Sequence, residues 1–295
     1  MRVERDVPHT VVGTYVGPFP SGAPAITIDT CARLGLKAGF IGVVGDDDFG
    51  RLILERFRRD GVDISRIRVA PGYTTGIAFV MYASDGGRRF VFHMKQSASA
   101  LLSPDDVEEE YVASSRALHI SGSSLSISGS VYQACLKALE IAVRRGLYVT
   151  FDPNVRPELA DPEEVRRLHR PFIERAAALL LGADEACLLA GVGDPLDAAR
   201  KLLEMGPDVV VLKMGARGSI ALAREEVYRA PAYRVKEVDP TGAGDVFNAA
   251  FIYGALQGWS LEKVLRFALS LIHISEPTRP LYISSAVFCL KKKKK

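Results

Sequence analysis

The chain has 295 residues, 48% of them hydrophobic, enough to bury a full α/β core as one domain with a small appendage. No apolar run reaches the eighteen or so residues of a membrane span, and the opening Met1-Arg2-Val3-Glu4-Arg5-Asp6 lacks the apolar stretch of a secretory signal, so a cytoplasmic location is expected. Leu269 to Lys295 hold six of the 38 Lys and Arg and one of the 35 Asp and Glu, so the formal charge of +3 becomes −2 without them; with no interleaving of aromatic and basic residues elsewhere, nucleic-acid binding is not expected.

In chain order, Ile26–Leu34 reads as a helix and Ala38–Val44 as a strand. Phe49–Asp60 then reads as an amphipathic helix with Leu52, Ile53 and Phe57 inward. Gly76–Tyr82 and Arg88–Met94, joined through Ala83-Ser84-Asp85-Gly86-Gly87, read as a hairpin that with Thr10–Val16 would form a small antiparallel lid. The apolar runs at Ala117–Ile120, Leu147–Phe151, Ala178–Leu181 and Val209–Lys213 alternate with helical stretches. That pattern predicts a layered α/β domain with parallel strands. Cys31, Cys135, Cys187 and Cys289 are scattered without metal-ligand spacing, as are the five histidines.

Three segments carry chemistry. In Asp239-Pro240-Thr241-Gly242-Ala243-Gly244-Asp245-Val246-Phe247-Asn248 the small residues precede an apolar helix over Val246–Leu256, whose first-turn N–H groups and dipole suit an anion. Asp245 is then placed to take or orient the proton of an attacking hydroxyl; the plainer reading is a glycine turn with an aspartate cap. In Val211-Leu212-Lys213-Met214-Gly215-Ala216-Arg217-Gly218 two glycines follow a buried strand, where phosphates can approach the backbone. No Gly-Lys-Ser/Thr follows glycines anywhere, so this is not a P-loop, and no early Gly-x-Gly-x-x-Gly supports a dinucleotide oxidoreductase. In Asp152-Pro153-Asn154-Val155-Arg156, alternation along an extended strand end would put Asp152, Asn154 and Arg156 on one side. Arg156 suits a phosphate or acidic group, and Asp152 or Asn154 a metal-bound water or sugar hydroxyl; the alternative is a well-bonded loop around Pro153 and Pro157.

With Ser21-Gly22-Ala23-Pro24-Ala25, Ala32-Arg33-Leu34-Gly35 and Gly42–Gly50 in order before it, the run from Asp239 to Phe247 closely resembles the ribokinase-like, or PfkB-type, carbohydrate kinases, over about Gly13 to Ala268. The resemblance implies a three-layer α/β sandwich with a mostly parallel central sheet and a small antiparallel β lid. It implies transfer of the γ-phosphoryl group of ATP, with Mg2+, to a hydroxyl of a monosaccharide or sugar acid. Asp245 would be the general base and the Gly242, Ala243 and Gly244 amides the anion hole. Lys213, Gly215, Gly218, Thr241 and Asn248 would face the nucleotide. Glu185 would act on Mg2+ through water, although Gly182 stands where an Asn is usual, and Asp152 is a second metal candidate. Ser21, Gly22, Ala23, Asn154 and Arg156 would line the sugar site; Ile26 replaces an expected Asn. Arg89 and Phe92 on the hairpin would meet a sugar carboxylate or apolar face, unless they only pack and pair within it.

The resemblance points toward tagatose kinases, fructokinases and 2-keto-3-deoxygluconate kinases, with a homodimer through the β lid as a further expectation. The rivals are a nucleoside kinase of the same fold and a nonenzymatic sugar- or nucleotide-binding fragment. It also implies a domain over 1–268 lacking its first core strand and shortened at both ends, with lid segments around 10–20 and 73–95. Residues 269–295, ending in five lysines, resemble the translation of a sequencing adapter running into poly-A, so a non-native tail is expected there; a basic tail for anionic surfaces is the alternative.

Overall fold

Short apolar runs alternate with helices along most of the chain, and most of them become strands of one central sheet. The computed structural model describes residues 1–84, 87–155, 161–224, 226–235 and 241–272, and the backbone of 286–291. Its helices are α1 (Ala23–Arg33), α2 (Asp48–Asp60), α3 (Glu109–Ala113), α4 (Gly129–Arg144), α5 (Pro162–Ile173), α6 (Ala183–Ala190), α7 (Pro195–Glu204), α8 (Ala243–Leu256) and α9 (Leu261–Leu271). Its first strands are β1 (Ala38–Gly45), β2 (Asp63–Ala70), β3 (Ile77–Tyr82), β4 (Arg88–His93), β5 (Ser115–Ser121) and β6 (Tyr148–Asp152). The rest are β7 (Ala178–Gly182), β8 (Val209–Lys213), β9 (Ser219–Ala223), β10 (Val227–Ala230) and β11 (Ala286–Lys291).

The sheet runs β10-β9-β8-β7-β6-β5-β11-β1-β2. Strands β5 to β8 are mutually parallel, as are β1 and β2, while β9 and β10 add antiparallel hairpins at one edge. β11 runs antiparallel to both neighbours and joins the two parallel halves. Period-two alternation builds the two covered faces. Ile41, Val43, Leu179, Leu181, Val210 and Leu212 pack with α4 to α7, and Phe40, Val44, Leu180 and Val211 pack on the side of α1, α2, α8 and α9. The result is the three-layer α/β sandwich that the sequence implies.

Local chemistry sets the helix ends. Asp47 accepts the Gly50 N–H at 2.8 Å to start α2, and Gly61, at φ 84°, ends it in the left-handed conformation. α8 is apolar all round because it is covered twice: Ala249 and Ile252 face α1 and α2, and Phe247, Ala250 and Phe251 face α9. Strands β3 and β4 form a separate two-stranded sheet. The chain start runs alongside, with Arg2 N–H donating to Val80 O and Asp6 N–H to Tyr82 O. Among the described residues no helix is long and apolar enough to cross a membrane.

Candidate active site

Three adjacent parallel strands end at one place, the C-terminal edge of the sheet where ligands of open α/β folds bind. β6 delivers Asp152 and, just past it, Asn154; β7 leads into α6 and Glu185; β8 ends on Lys213. The first turn of α8 closes this edge from above, with Gly242 as its N-cap at φ 81°. Only a residue without a Cβ takes that conformation cheaply, and the helix then starts with Ala243, Gly244 and Asp245 presenting their N–H groups. A cavity of about 160 Å³ lies between these parts, lined by Ser21, Ala23, Ile26, Arg88, Phe90, Asp152, Asn154, Glu185, Lys213, Thr241, Gly242, Gly244 and Asp245. Pockets for drug-sized ligands run ~300–1,000 Å³, so this one is smaller, and its lining is mostly polar.

A buried polar network forms its floor. Asp152 Oδ2 accepts from Lys213 Nζ at 2.8 Å and from Asn248 Nδ2 at 2.5 Å, and its Oδ1 accepts from the Asn154 N–H at 3.0 Å. Lys213 Nζ also donates to Asn248 Oδ1 at 3.3 Å. Burial alone would raise the Asp152 pKa, but Lys213 and Asn248 outweigh it and hold the carboxylate below its ordinary value. Burial likewise works against the Lys213 cation, and Asp152, Glu185 and Asp245 outweigh it and hold its pKa above the usual one. Glu185 is pushed up by burial and by the Asp152 charge. Both of its oxygens are used: Oε1 accepts from the Val155 N–H and Oε2 from the Gly182 N–H, each at 2.7 Å.

Thr27 of α1 donates to the Asp245 carbonyl at 3.3 Å and so ties α1 to the start of α8. The hairpin reaches in from the other side. Its register pairs Tyr82 with Arg88, Val80 with Phe90 and Ala78 with Phe92, so these residues share one face. Tyr82 hydrogen-bonds Thr241, and Phe90 stacks on Phe92 with centroids 5.3 Å apart.

Most residues expected from the sequence meet here, with instructive exceptions. Arg89 lies on the opposite hairpin face with Phe79 and Val91, and Arg88 lines the cavity in its place; strict alternation from Phe90 would have picked Arg88. Phe92 is on the cavity face but behind Phe90. Asn154 lines the cavity, yet it adopts φ 39°, so the strand end is not extended through it and alternation does not account for the grouping. Arg156 lies outside the described residues, as do Asp239 and Pro240. Asn248 is fully buried and meets Asp152 and Lys213 rather than the cavity. Gly22, at φ 113°, caps α1 behind Ser21 and Ala23. Gly215 and Gly218 shape the turn after β8 but do not line the cavity, and a Cβ on Gly218 would come within 2.1 Å of Ala230 O, which explains the glycine. Tyr82, Thr27 and Phe90 were missed by sequence reasoning; hairpin parity is the signal for the first and last.

No group of three or more His, Cys, Asp or Glu among the described residues is placed to cage a metal ion. The donor set suits Mg2+ nonetheless, since this ion keeps most of its waters and binds through one or two carboxylates and substrate phosphates. Glu185 lines the cavity with one backbone N–H on each oxygen, which leaves lone pairs for a metal-bound water, whereas Asp152 is more fully used, accepting from Lys213, Asn248 and Asn154.

The sequence model for pfkB family carbohydrate kinases matches residues 3–272. A 2-dehydro-3-deoxygluconokinase of Thermoproteus tenax is 37% identical over 260 residues, covering 87% of this chain and 79% of its own. A 5-dehydro-2-deoxygluconokinase of Clostridium perfringens is 33% identical over 256 residues, covering 84% and 75%. A crystal structure from E. coli, provisionally assigned as a ribokinase II and bound to ATP and Mg2+, superposes with a TM-score of 0.86 at 36% identity, covering 95% of this chain and 89% of the other. The residues at the head of α8, the sheet that carries them and these relatives agree, and the chain belongs to the pfkB family of carbohydrate kinases.

Proposed function

We propose that the protein transfers the γ-phosphoryl group of ATP to a hydroxyl of a monosaccharide, and that the preferred acceptor is a deoxy sugar acid of the 2-keto-3-deoxygluconate type. The observation that carries this reading is Asp245 on the first turn of α8, in one cavity with the Gly242 and Gly244 backbone and the Lys213 cation. The acceptor hydroxyl oxygen attacks the γ-phosphorus, the bond from that phosphorus to the ADP oxygen breaks, and the hydroxyl proton passes to the Asp245 carboxylate. The Ala243 and Gly244 N–H groups and the helix dipole meet the charge on the transferring group. Glu185 would hold Mg2+ through water, and the ion, when bound, neutralises the phosphates.

Arg88 supports the sugar-acid acceptor, because a guanidinium pairs well with a carboxylate. The two deoxygluconokinases similar to this chain are named for such acids. The test is ADP release over a panel of 2-keto-3-deoxy sugar acids, tagatose, fructose and nucleosides. Sugar acids are expected to give the highest kcat/KM, and Arg88→Gln to raise KM for the acids but not for the ketoses. A preference for nucleosides would favour the nucleoside-kinase alternative. Phe79 and Val91, exposed on the outer hairpin face near Tyr15, support pairing of two copies through the lid; a monomer by sedimentation would count against it.

A further inference from the structure

Lys213 stands at the end of β8 with only 18% of its side chain exposed, against an Asp152 side chain that is 3% exposed. A buried ion pair of this kind is a weak source of stability, because the cost of removing both charges from water offsets their attraction. Its placement is therefore the informative point. An ammonium has three N–H donors, and the acceptors recorded among the described residues for Lys213 are two, Asp152 Oδ2 and Asn248 Oδ1. The same Nζ lies 3.6 Å from where a Cβ on Gly244 would be, beside the first turn of α8 and on the wall of the cavity. Asp152 and Asn248 are also bonded to each other, so Lys213 is held by a closed three-membered network rather than by one flexible contact.

We propose that Lys213 is a catalytic residue of the phosphoryl transfer, a fixed cation that meets the charge developing on the transferring group at the Gly242–Gly244 cradle, and that Asp152 and Asn248 are positioning residues that hold it there. The inference rests on the kinase reading above and assigns its cation. No proton moves to or from Lys213. The ammonium keeps Asp152 on one side and directs its remaining N–H at the phosphoryl oxygen, so its stabilisation grows as charge builds and acts on kcat more than on ATP binding. Asn248, buried and out of reach of the cavity, acts only through Lys213 and Asp152.

Lys213→Met alone leaves Asp152 buried and unpaired and is expected to destabilise the fold, so the decisive variant is Lys213→Met with Asp152→Asn, which removes both charges and keeps the shape. This double variant is expected to melt near wild type, to bind ATP with little change by calorimetry, and to lose ~10²–10³ in kcat, the usual effect of removing one preorganised charge-stabilising donor. Asn248→Leu is expected to lower kcat without raising the KM for ATP. As a second readout, the wild type should bind ADP with Mg2+ more tightly when aluminium fluoride is added, and the double variant should lose that gain. Near-wild-type kcat in the double variant would overturn the proposal and make the pair a structural staple. If the wild type shows the aluminium fluoride gain but phosphorylates none of the sugars, the proposed acceptor fails while the Lys213 assignment stands or falls on the variant's gain. A wild type without the gain would overturn both.

Discussion

Asp245 and Gly244 occupy successive positions in the first turn of α8, and their roles separate cleanly by substitution. Asp245→Asn keeps the size and removes the base, so kcat should fall ~10²–10⁴ with ATP affinity retained; more than about a tenth of wild-type kcat would remove Asp245 from this role. Gly244→Ala tests the cradle from its other side. The new Cβ would meet only Lys213 Nζ, at an ordinary contact distance of 3.6 Å, so the fold accommodates it. Alanine also favours helix over glycine by up to ~1 kcal/mol. The expected result is an unchanged or raised Tm with kcat reduced at least about tenfold, because the methyl group stands where the anion approaches the helix-end amides. Unchanged kcat would mean that the phosphoryl group is held elsewhere. Gly244→Val should impair turnover further.

At the scale of the elements, two buried groups make the acid stability of the sheet and of the α1–α2 pair run in opposite directions. His119 on β5 donates to or accepts from Thr150 at 2.8 Å, and burial, aided by Lys213, lowers its pKa from 6.5 to about 4. The folded state then binds fewer protons than the unfolded one between these values, so its contribution is lost as pH falls from 6.5 toward 4. Asp29 on α1 faces Arg56 and Asp60 of α2, and burial, with Asp60 adding, raises its pKa from 3.8 to about 6 despite Arg56. Here the folded state binds more protons, so stability rises as pH falls from 6 toward 4. Melting curves across this range should show His119→Gln holding or gaining Tm on acidification, where Asp29→Asn loses more than wild type. Parallel profiles for all three proteins would refute both assignments. The same elements show what sequence conveys. β1, β5, β6, β7 and β8 are legible because strands covered on both faces are continuous apolar runs. β2 is not, since Asp63, Arg66 and Arg68 leave it looking like a loop and only its position at the sheet edge makes it a strand. The cradle is legible because its residues are contiguous; the Lys213–Asp152–Asn248 network is not, because its members stand 35 to 96 positions apart and only the sheet brings them together.

The molecule as a whole depends on how its two parallel halves are joined. β1 and β5 are interior strands, and each needs hydrogen-bond partners on the sides that face one another. Ala286–Lys291 provides them, pairing Ala38 to Gly42 on one side and Ser115 to Ile120 on the other. The strand over Ala286–Lys291 lies inside the sheet, between β1 and β5. Main-chain ladders place weak demands on side-chain identity, so the short apolar run from Ala286 can serve, and an antiparallel strand can fill a slot flanked by parallel neighbours. Ending the chain at Ile272 should therefore open two interior edges, lower soluble yield and reduce Tm by several degrees, with ~2–4 °C expected per kcal/mol lost in a domain of 150–250 residues and less in a larger one. Turnover should fall with it, because β5 stands next to β6 and its Asp152. An unchanged Tm and unchanged turnover after truncation would show that β11 does not hold the halves together and that residues 273–295 are dispensable.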